Sequence, residues 1–410
     1  MMLEKFFFDF KSIYKFFMIL FFSAILFNPV LINFGFNYVY LFLGIFILFL
    51  SLLKGFDGES LFRMKSLILY IFLLLCSLIF TVFNSSGNNP LISFGIYVMP
   101  IVFWMIFMNA HDDFSYAIFF RDIYLILVFV AFLGIIQYFL SPTLFDLIPI
   151  ESRAIEWASR TTFEQYALFF RASSTLGSPQ VFGMFCSLCL ILSLRFSKNI
   201  NIYIFYLGIL LFFVGGILSG NKAFFLSIAI YFSALIFQRR TLSRLTIALL
   251  LFLIFYFSGL LQIITDSIPI LERVFSIAEI LEQESEDSRI SKYLYILQNT
   301  NPFFGNGLGS ITNQSFLDLT AAESYYLKIY FEAGAFVFLA LLIVCLNFFF
   351  SAMFNKFSDV IICLIFFLNM MIVHAFESPV AIIFWGYLIY QIYLHQRKIY
   401  LEKNVKKSFN

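Results

Sequence analysis

Apolar segments long enough to cross a lipid bilayer recur along almost the whole chain. A helix needs about 20 apolar residues to cross the hydrocarbon core, and fewer where flanking side chains reach the interface. Scanning on that basis predicts about twelve spans, at 13–32, 36–53, 67–83, 91–108, 121–140, 181–195, 200–218, 223–237, 245–264, 327–352, 360–375 and 380–394. With 62% apolar and 12% charged residues, the chain also lacks the polar surface that a water-soluble protein of 410 residues needs. We therefore expect an all-α polytopic integral membrane protein, with 1–410 forming a single membrane-embedded domain.

The positions of Lys and Arg predict which side of the membrane each connection faces, because cytoplasmic loops carry an excess of these residues. The pattern is consistent with both termini in the cytoplasm. Two connections on the outer side, 141–180 and 265–323, are far longer than a helical bundle needs, and loops of that length are usually functional or disordered. Their aromatic and branched apolar residues argue against disorder. Apolar residues at helical spacing within 265–323 predict short helices that lie on the membrane surface.

Charge and cysteine placement argue against several classes of function. The formal net charge is only +2, which gives no reason to expect a nucleic-acid partner. The five cysteines lie inside apolar segments, where they behave as small buried hydrophobes, so we expect neither a redox site nor a metal site. An active site on the outer side cannot use ATP, so its reactants must be carried by lipid or lie outside the cytoplasm.

Three arginines in the long outer loops are candidate functional residues: Arg160, Arg171 and Arg289. A guanidinium group is always charged, and its planar fork matches the oxygens of phosphate or carboxylate, so an arginine at the membrane surface is suited to a diphosphate. The alternative for each is an ordinary arginine that reaches the interface or forms an ion pair. The local sequence favours the functional interpretation most for Arg171 and Arg289.

Small hydroxylated residues follow Arg171 in the segment RASSTLGSPQVFG, just before the sixth predicted span. Ser174 and its neighbours, with the amino end of the next helix, would supply several hydrogen-bond donors at one place, which favours an anion. The alternative is a helix cap, with Ser178 capping and Pro179 in the first helical position. Lys222, in LSGNKAFF, is a further outward cation, which either adds positive charge to a pocket or ends a helix.

Two acidic residues lie near the start of the tenth predicted span, in ESYYLKIYFEAG. Glu323, close to Tyr325, lies where the second long loop re-enters the membrane, and a partly desolvated carboxylate there can act as a general base toward a sugar hydroxyl. Its alternative role is a favourable negative charge in the first turn of the helix. Glu332 lies further into the predicted span, where ionisable groups are costly and tend to face the protein interior.

Three glycines alternate in the segment PFFGNGLGS, residues 302–310. Their spacing differs from the dinucleotide-binding pattern G-x-G-x-x-G, and no predicted strand precedes them. Glycine takes positive φ angles and lets the backbone approach another group closely. Gly305, Gly307 and Gly309 are therefore candidates for contact with a bulky ligand.

Three segments, taken in order, resemble the superfamily of O-antigen polymerases and O-antigen ligases of bacterial surface-polysaccharide assembly. They are RASSTLGSPQVFG, SRISKYLYILQNTNPFFGNGLGS and ESYYLKIYFEAG. The resemblance implies a GT-C-like fold in the bacterial inner membrane, and a glycosyltransferase that uses undecaprenyl-diphosphate-linked oligosaccharides on the periplasmic side without metal or other cofactor. Besides these lipid-linked repeat units, membrane lipid and a chain-length regulator are candidate partners.

The resemblance also bears on individual residues. Arg171 and Arg289 match arginines that act on the diphosphate or the sugar, and with Glu323 they form the expected catalytic set. Ligases typically have a histidine at the position of Glu323, so the chain is closer to a polymerase. The expected substrate-binding residues are Arg160, Ser174, Gly305, Gly307, Gly309, Tyr325 and Lys222.

Two alternatives to a repeat-unit polymerase stay open. One is an O-antigen ligase, which performs related chemistry. The other belongs to a different class: a flippase for the same lipid-linked units, because about twelve spans with both ends inside is also a common carrier topology. Carriers commonly have internal repeats and polar groups at mid-bilayer, whereas this sequence has no convincing repeat and few charges within its spans. We therefore expect an enzyme.

Overall fold

The computed structural model describes residues 15–28, 31, 39–54, 64–84, 89–110, 114–140, 172, 174–176, 178–238, 297–298, 300–310, 324–372 and 378–408. All regular structure in these ranges is helical, as the sequence predicts. Of the two long predicted loops, 141–171, 265–296 and 311–323 lie outside the described residues. The surface helices predicted there also lie outside them, except that residues 297–298 at the end of the second one are helical.

The helices of the described residues are α1 (Lys15–Leu26), α2 (Val39–Lys54), α3 (Lys65–Phe83), α4 (Pro90–Ala110), α5 (Tyr116–Leu140), α6 (Pro179–Arg195), α7 (Ile202–Leu218), α8 (Lys222–Gln238), α9 (Tyr325–Asn355), α10 (Phe357–Ile372) and α11 (Ala381–Ser408). Each predicted span has a helix at its position except 245–264, which lies outside the described residues. Among the helices described, four are long and apolar enough to cross a membrane: α3, α4, α5 and α9.

The described helices group into two compact units, and each is described by itself. The first contains α1 up to Ile25, α2 to α4, the start of α5, the segment 297–310 and α9 to α11. Within it, α9 packs against α3, α10 and α11, and α4 packs against α2, α3 and α11. The indole N–H of Trp104 donates to the Ile382 carbonyl at 2.6 Å, and Gly386 leaves room for the indole ring. Aromatic rings with one polar group thus fasten α4 to α11.

The second unit contains α5 from Phe120 onward, a short 3-10 turn at Ser174–Leu176, and α6 to α8. Its central helix is α6, whose side chains from Val181 to Ser193 are all buried. Both α7 and α8 pack against α6. The ring of Phe182 lies directly against Gly134 of α5, where any side chain would overlap it. The single domain predicted over 1–410 stays a prediction.

The span predicted at 327–352 is not one continuous helix, and in this respect the sequence interpretation was wrong. Within α9, Gly334 has φ 80° and ψ −179°, which separates a short arm, 325–333, from a long arm, 335–355. The hydroxyl of Tyr326 lies 3.5 Å from the Sγ of Cys345. In a straight helix, residues 19 apart would be separated by about 28 Å, so the short arm folds back along the long arm.

We expect Gly334→Ala to destabilise the protein severely. The backbone conformation at Gly334 is accessible essentially to glycine alone, and forcing another residue into it costs about 1–3 kcal/mol. A methyl group would also overlap the Phe303 carbonyl. Thermal unfolding of the purified protein in detergent measures the effect.

The matched control is Gly95→Ala in α4, where an added Cβ has nothing within 4 Å. Alanine favours a helix interior over glycine by about 0.5–1 kcal/mol, so this variant should melt no lower than the unchanged protein. Equal melting temperatures for the two variants would contradict the break at Gly334.

Candidate functional site

The break in α9 is filled by the glycine loop, defined here as residues 302–310. In an unbroken helix the N–H of Ala335 would donate to the carbonyl of Phe331, four residues earlier. Instead, the Ala335 N–H donates to the Pro302 carbonyl at 2.9 Å, and the Phe331 carbonyl accepts from the Asn306 N–H at 2.7 Å. The loop backbone is therefore inserted between the donor and the acceptor that the break separates, and it satisfies both.

The three glycines of the glycine loop are buried and have positive φ angles, 70° at Gly305, 100° at Gly307 and 79° at Gly309. The Gly307 N–H donates to the Glu332 carbonyl at 3.0 Å. A Cβ at Gly305 would lie 2.5 Å from the carbonyl carbon of Glu332, so only glycine fits there. The backbone that Gly305 and Gly307 approach is thus that of α9, and contact of the three glycines with a ligand stays a prediction.

Helix α3 also contacts the glycine loop. Leu308 is fully buried, and its N–H donates to Thr81 Oγ1 at 3.0 Å. The Thr81 hydroxyl donates in turn to the Ser77 carbonyl at 2.7 Å. The ring of Phe304 stacks on that of Phe80, with centroids 4.8 Å apart. The loop is thereby fixed to α3 and α9 together.

The short arm of α9 carries a polar face, which consists of Tyr325, Lys328 and Glu332. Glu332 is 0% exposed, and its Oε2 accepts a hydrogen bond from the Tyr97 hydroxyl of α4 at 2.8 Å. The Lys328 Nζ lies 3.9 Å from Glu332 Oε1, which makes an i,i+4 ion pair. The Tyr325 ring meets the Tyr97 ring edge-on at a centroid distance of 5.8 Å. The buried Tyr70 of α3 lies beside Tyr325.

An ion pair in apolar surroundings is energetically demanding. Removing each charge from water costs roughly several kcal/mol, and the attraction between the charges offsets this only where geometry and hydrogen bonds are good. Ionisable residues within membrane helices usually face the protein interior and mark functional sites. The polar face of the short arm is therefore the candidate functional site among the described residues.

In the second unit, Ser174 is buried, and its hydrogen-bond donors contact neighbouring helix residues. Its N–H donates to Gln137 Oε1 at 2.7 Å, and its hydroxyl donates to the Val130 carbonyl. Its φ angle is 54°, which is uncommon for a residue other than glycine. Ser178 occupies the N-cap position of α6 and Pro179 the first helical position, as predicted, but the Ser178 side chain makes no cap hydrogen bond. In the described structure, Ser174 thus contributes to packing, and its contact with an anion stays a prediction.

Lys222 is exposed and is the first residue of α8, so it begins a helix and does not end one. The turn before it, residues 219–221, joins α7 to α8. The Asn221 side-chain carbonyl accepts from the Ala223 N–H at 3.0 Å, and its amide donates to the Gln180 carbonyl of α6 at 2.9 Å. The Asn221 side chain therefore has a structural function in this turn, and a contact of Lys222 with a ligand stays a prediction.

Several predicted site residues lie outside the described residues: Arg160, Arg171, Arg289 and Glu323. Of the expected substrate-binding set, Gly305, Gly307, Gly309 and Tyr325 lie in the first unit, and Ser174 and Lys222 lie in the second. Neither a family model nor a curated protein matches the chain. The family resemblance therefore rests on the sequence segments alone.

Sequence reasoning missed Tyr97 and Lys328 as parts of the site. Tyr97 lies in a helix without charged residues, and its link to Glu332 joins residues far apart in the chain. Lys328 carried a usable signal, because a lysine four residues before a glutamate in an apolar helix suggests an ion pair.

We expect Tyr97→Phe to destabilise the first unit, because it leaves a buried carboxylate without the hydroxyl that donates to it. A hydrogen bond to a charged group contributes about 1.5–3 kcal/mol, so the melting temperature should fall measurably. Tyr206→Phe is the control, because Tyr206 is 63% exposed. An unchanged melting temperature for Tyr97→Phe would contradict the contact with Glu332.

Proposed function

We propose that the protein is a membrane glycosyltransferase that joins undecaprenyl-diphosphate-linked oligosaccharides into surface-polysaccharide chains. In this proposal about twelve spans cross the bacterial inner membrane, both termini are cytoplasmic, and the reaction takes place on the outer side. One observation carries the proposal. Two sequence segments that resemble the polymerase and ligase superfamily, around 302–310 and 324–334, are bound to each other through their backbones beside a buried polar cluster.

The chemistry of the proposed reaction fits the residue types available. The donor is already activated as a diphosphate, so transfer requires stabilisation of the departing charge and correct placement of the acceptor hydroxyl. Arg171 and Arg289 would bind the diphosphate, and Glu323 would take the proton of the acceptor. Arg160 and Lys222 would add positive charge, and Tyr325 would contact the substrate from the short arm.

After an O-antigen ligase, a flippase for the same lipid-linked units is the remaining candidate, and the broken helix is the observation that agrees with a transporter. Discontinuous helices and buried ionisable groups also occur at the substrate sites of transporters. An O-antigen ligase would share the donor and much of the chemistry. The three candidates differ in the product that accumulates when the protein is missing.

Deleting the gene in its source bacterium and separating the surface glycans on a gel distinguishes the candidates. If the protein is a polymerase, the deletion strain should carry a single repeat unit on the lipid anchor and lose the long chains. If it is a ligase, the strain should accumulate unattached polymer, and if it is a flippase, the strain should show no surface repeat. Either of the last two patterns would overturn the proposal.

Complementing the deletion strain with Arg289→Ala should reproduce the single-unit pattern, because the diphosphate would lose its bidentate partner. Arg289→Lys should fail as well, since a lysine presents a point charge without the planar fork. Lys398→Ala, an exposed residue near the carboxyl end of α11, is the control and should restore long chains. If the strain complemented with Arg289→Ala makes long chains at an equal protein level, the proposed role of Arg289 is wrong.

A further inference from the structure

We propose that Lys328 binds the diphosphate of the lipid-linked donor and that Glu332 is the positioning residue that holds Lys328 in place. This inference rests on the proposed function and adds a cation that the sequence motifs did not assign. Both residues lie on the polar face of the short arm, one helical turn apart. The Lys328 side chain is 14% exposed and that of Glu332 is 0% exposed.

Stability alone gives little reason for this ion pair. Replacing a buried pair by apolar residues of similar volume is often neutral or stabilising, and most of the neighbouring residues in the short arm are apolar or aromatic. Lys328 also lies close to the amino end of the short arm, where the helix dipole disfavours a cation. A function beyond stability, the binding of a second anion beside Glu332, accounts for a lysine in this position.

Glu332 is held more firmly than an ordinary ion-pair partner. Its carboxylate accepts from Tyr97 at 2.8 Å, and its backbone carbonyl accepts from Gly307 at 3.0 Å. It is also the second residue before the break at Gly334, where the glycine loop fixes the backbone. The carboxylate therefore gives the Lys328 ammonium a fixed neighbour, which limits the positions that the flexible lysine side chain can take.

The surroundings indicate a phosphate group attached to a lipid. A lysine ammonium binds phosphate as a point charge, and the hydroxyls of Tyr70, Tyr97 and Tyr325 lie around the same polar face. The face is buried among helices long and apolar enough to cross a membrane, including α3 and α4. A diphosphate carried on a prenyl chain can approach such an apolar setting from the bilayer, whereas a free anion must leave water first.

Binding of farnesyl diphosphate to the purified full chain in nanodiscs tests the inference, with farnesol and inorganic pyrophosphate as comparison ligands. We expect the unchanged protein to bind farnesyl diphosphate more tightly than either. Lys328→Met, which keeps the length of the side chain without its charge, should weaken this binding at least tenfold. Lys328→Arg should retain most of it, and Lys198→Met, at an exposed lysine in the second unit, should leave it unchanged.

A charge-swapped double variant, Lys328→Glu with Glu332→Lys, separates positioning from stability. It keeps an i,i+4 ion pair but moves the cation by one turn and replaces the carboxylate that accepts from Tyr97. It should therefore melt no lower than Tyr97→Phe and still bind farnesyl diphosphate at least tenfold more weakly. Unchanged binding in the swapped variant, or in Lys328→Met, would show that the pair is only structural. Equal binding of inorganic pyrophosphate would overturn the assignment to a lipid-borne ligand.

The deletion phenotype tests the proposed function independently of this experiment. Absence of farnesyl diphosphate binding by the unchanged protein overturns the role of Lys328 even where the deletion strain shows the single-unit pattern. The opposite combination is also informative. If binding is tight and depends on Lys328, but the deletion strain still makes normal polymer, the diphosphate site stands and the proposed polymerase function is overturned.

Discussion

Backbone hydrogen bonding in an apolar interior is the constraint on which the first unit depends. Hydrocarbon offers no partner to an exposed N–H or carbonyl, so a break within a membrane helix persists only where other protein groups replace the missing bonds. At Gly334 the replacement comes from the glycine loop, whose backbone satisfies both Phe331 and Ala335. The loop needs glycines because it must lie against the α9 backbone, and α9 can break there because the loop is present.

The break determines where the polar groups of α9 lie. The short arm folds back beside the long arm and turns Lys328 and Glu332 toward the same interior as Tyr97. An ion pair is thereby placed among apolar helices, next to hydroxyl groups and to the glycine loop. The proposed transfer, which moves charge onto a diphosphate, would require such preorganised polar groups in a low-dielectric setting.

The sequence predicted the helices well, because apolar length is a local property of the chain. It failed at 327–352, since a single glycine in an apolar segment is tolerated in a helix and gives only a weak signal for a break. What breaks α9 is the insertion of residues 302–310, a tertiary contact. The positive φ angles of the loop glycines could be anticipated, but the surface that they approach could not. For Ser174, likewise, the hydrogen-bond donors were predicted but their partners, Gln137 and Val130, were not.

The distance between the two arms of α9 tests the central claim most directly. Spin labels at Leu327 and Leu346, one residue beyond the contacting pair Tyr326 and Cys345 in each arm, can be placed in a variant without native cysteines. A folded-back short arm predicts strong dipolar broadening between the labels, because they lie on adjacent arms. A separation of about 28 Å, the value for a continuous helix, would contradict the break, the role of the glycine loop and the candidate site together.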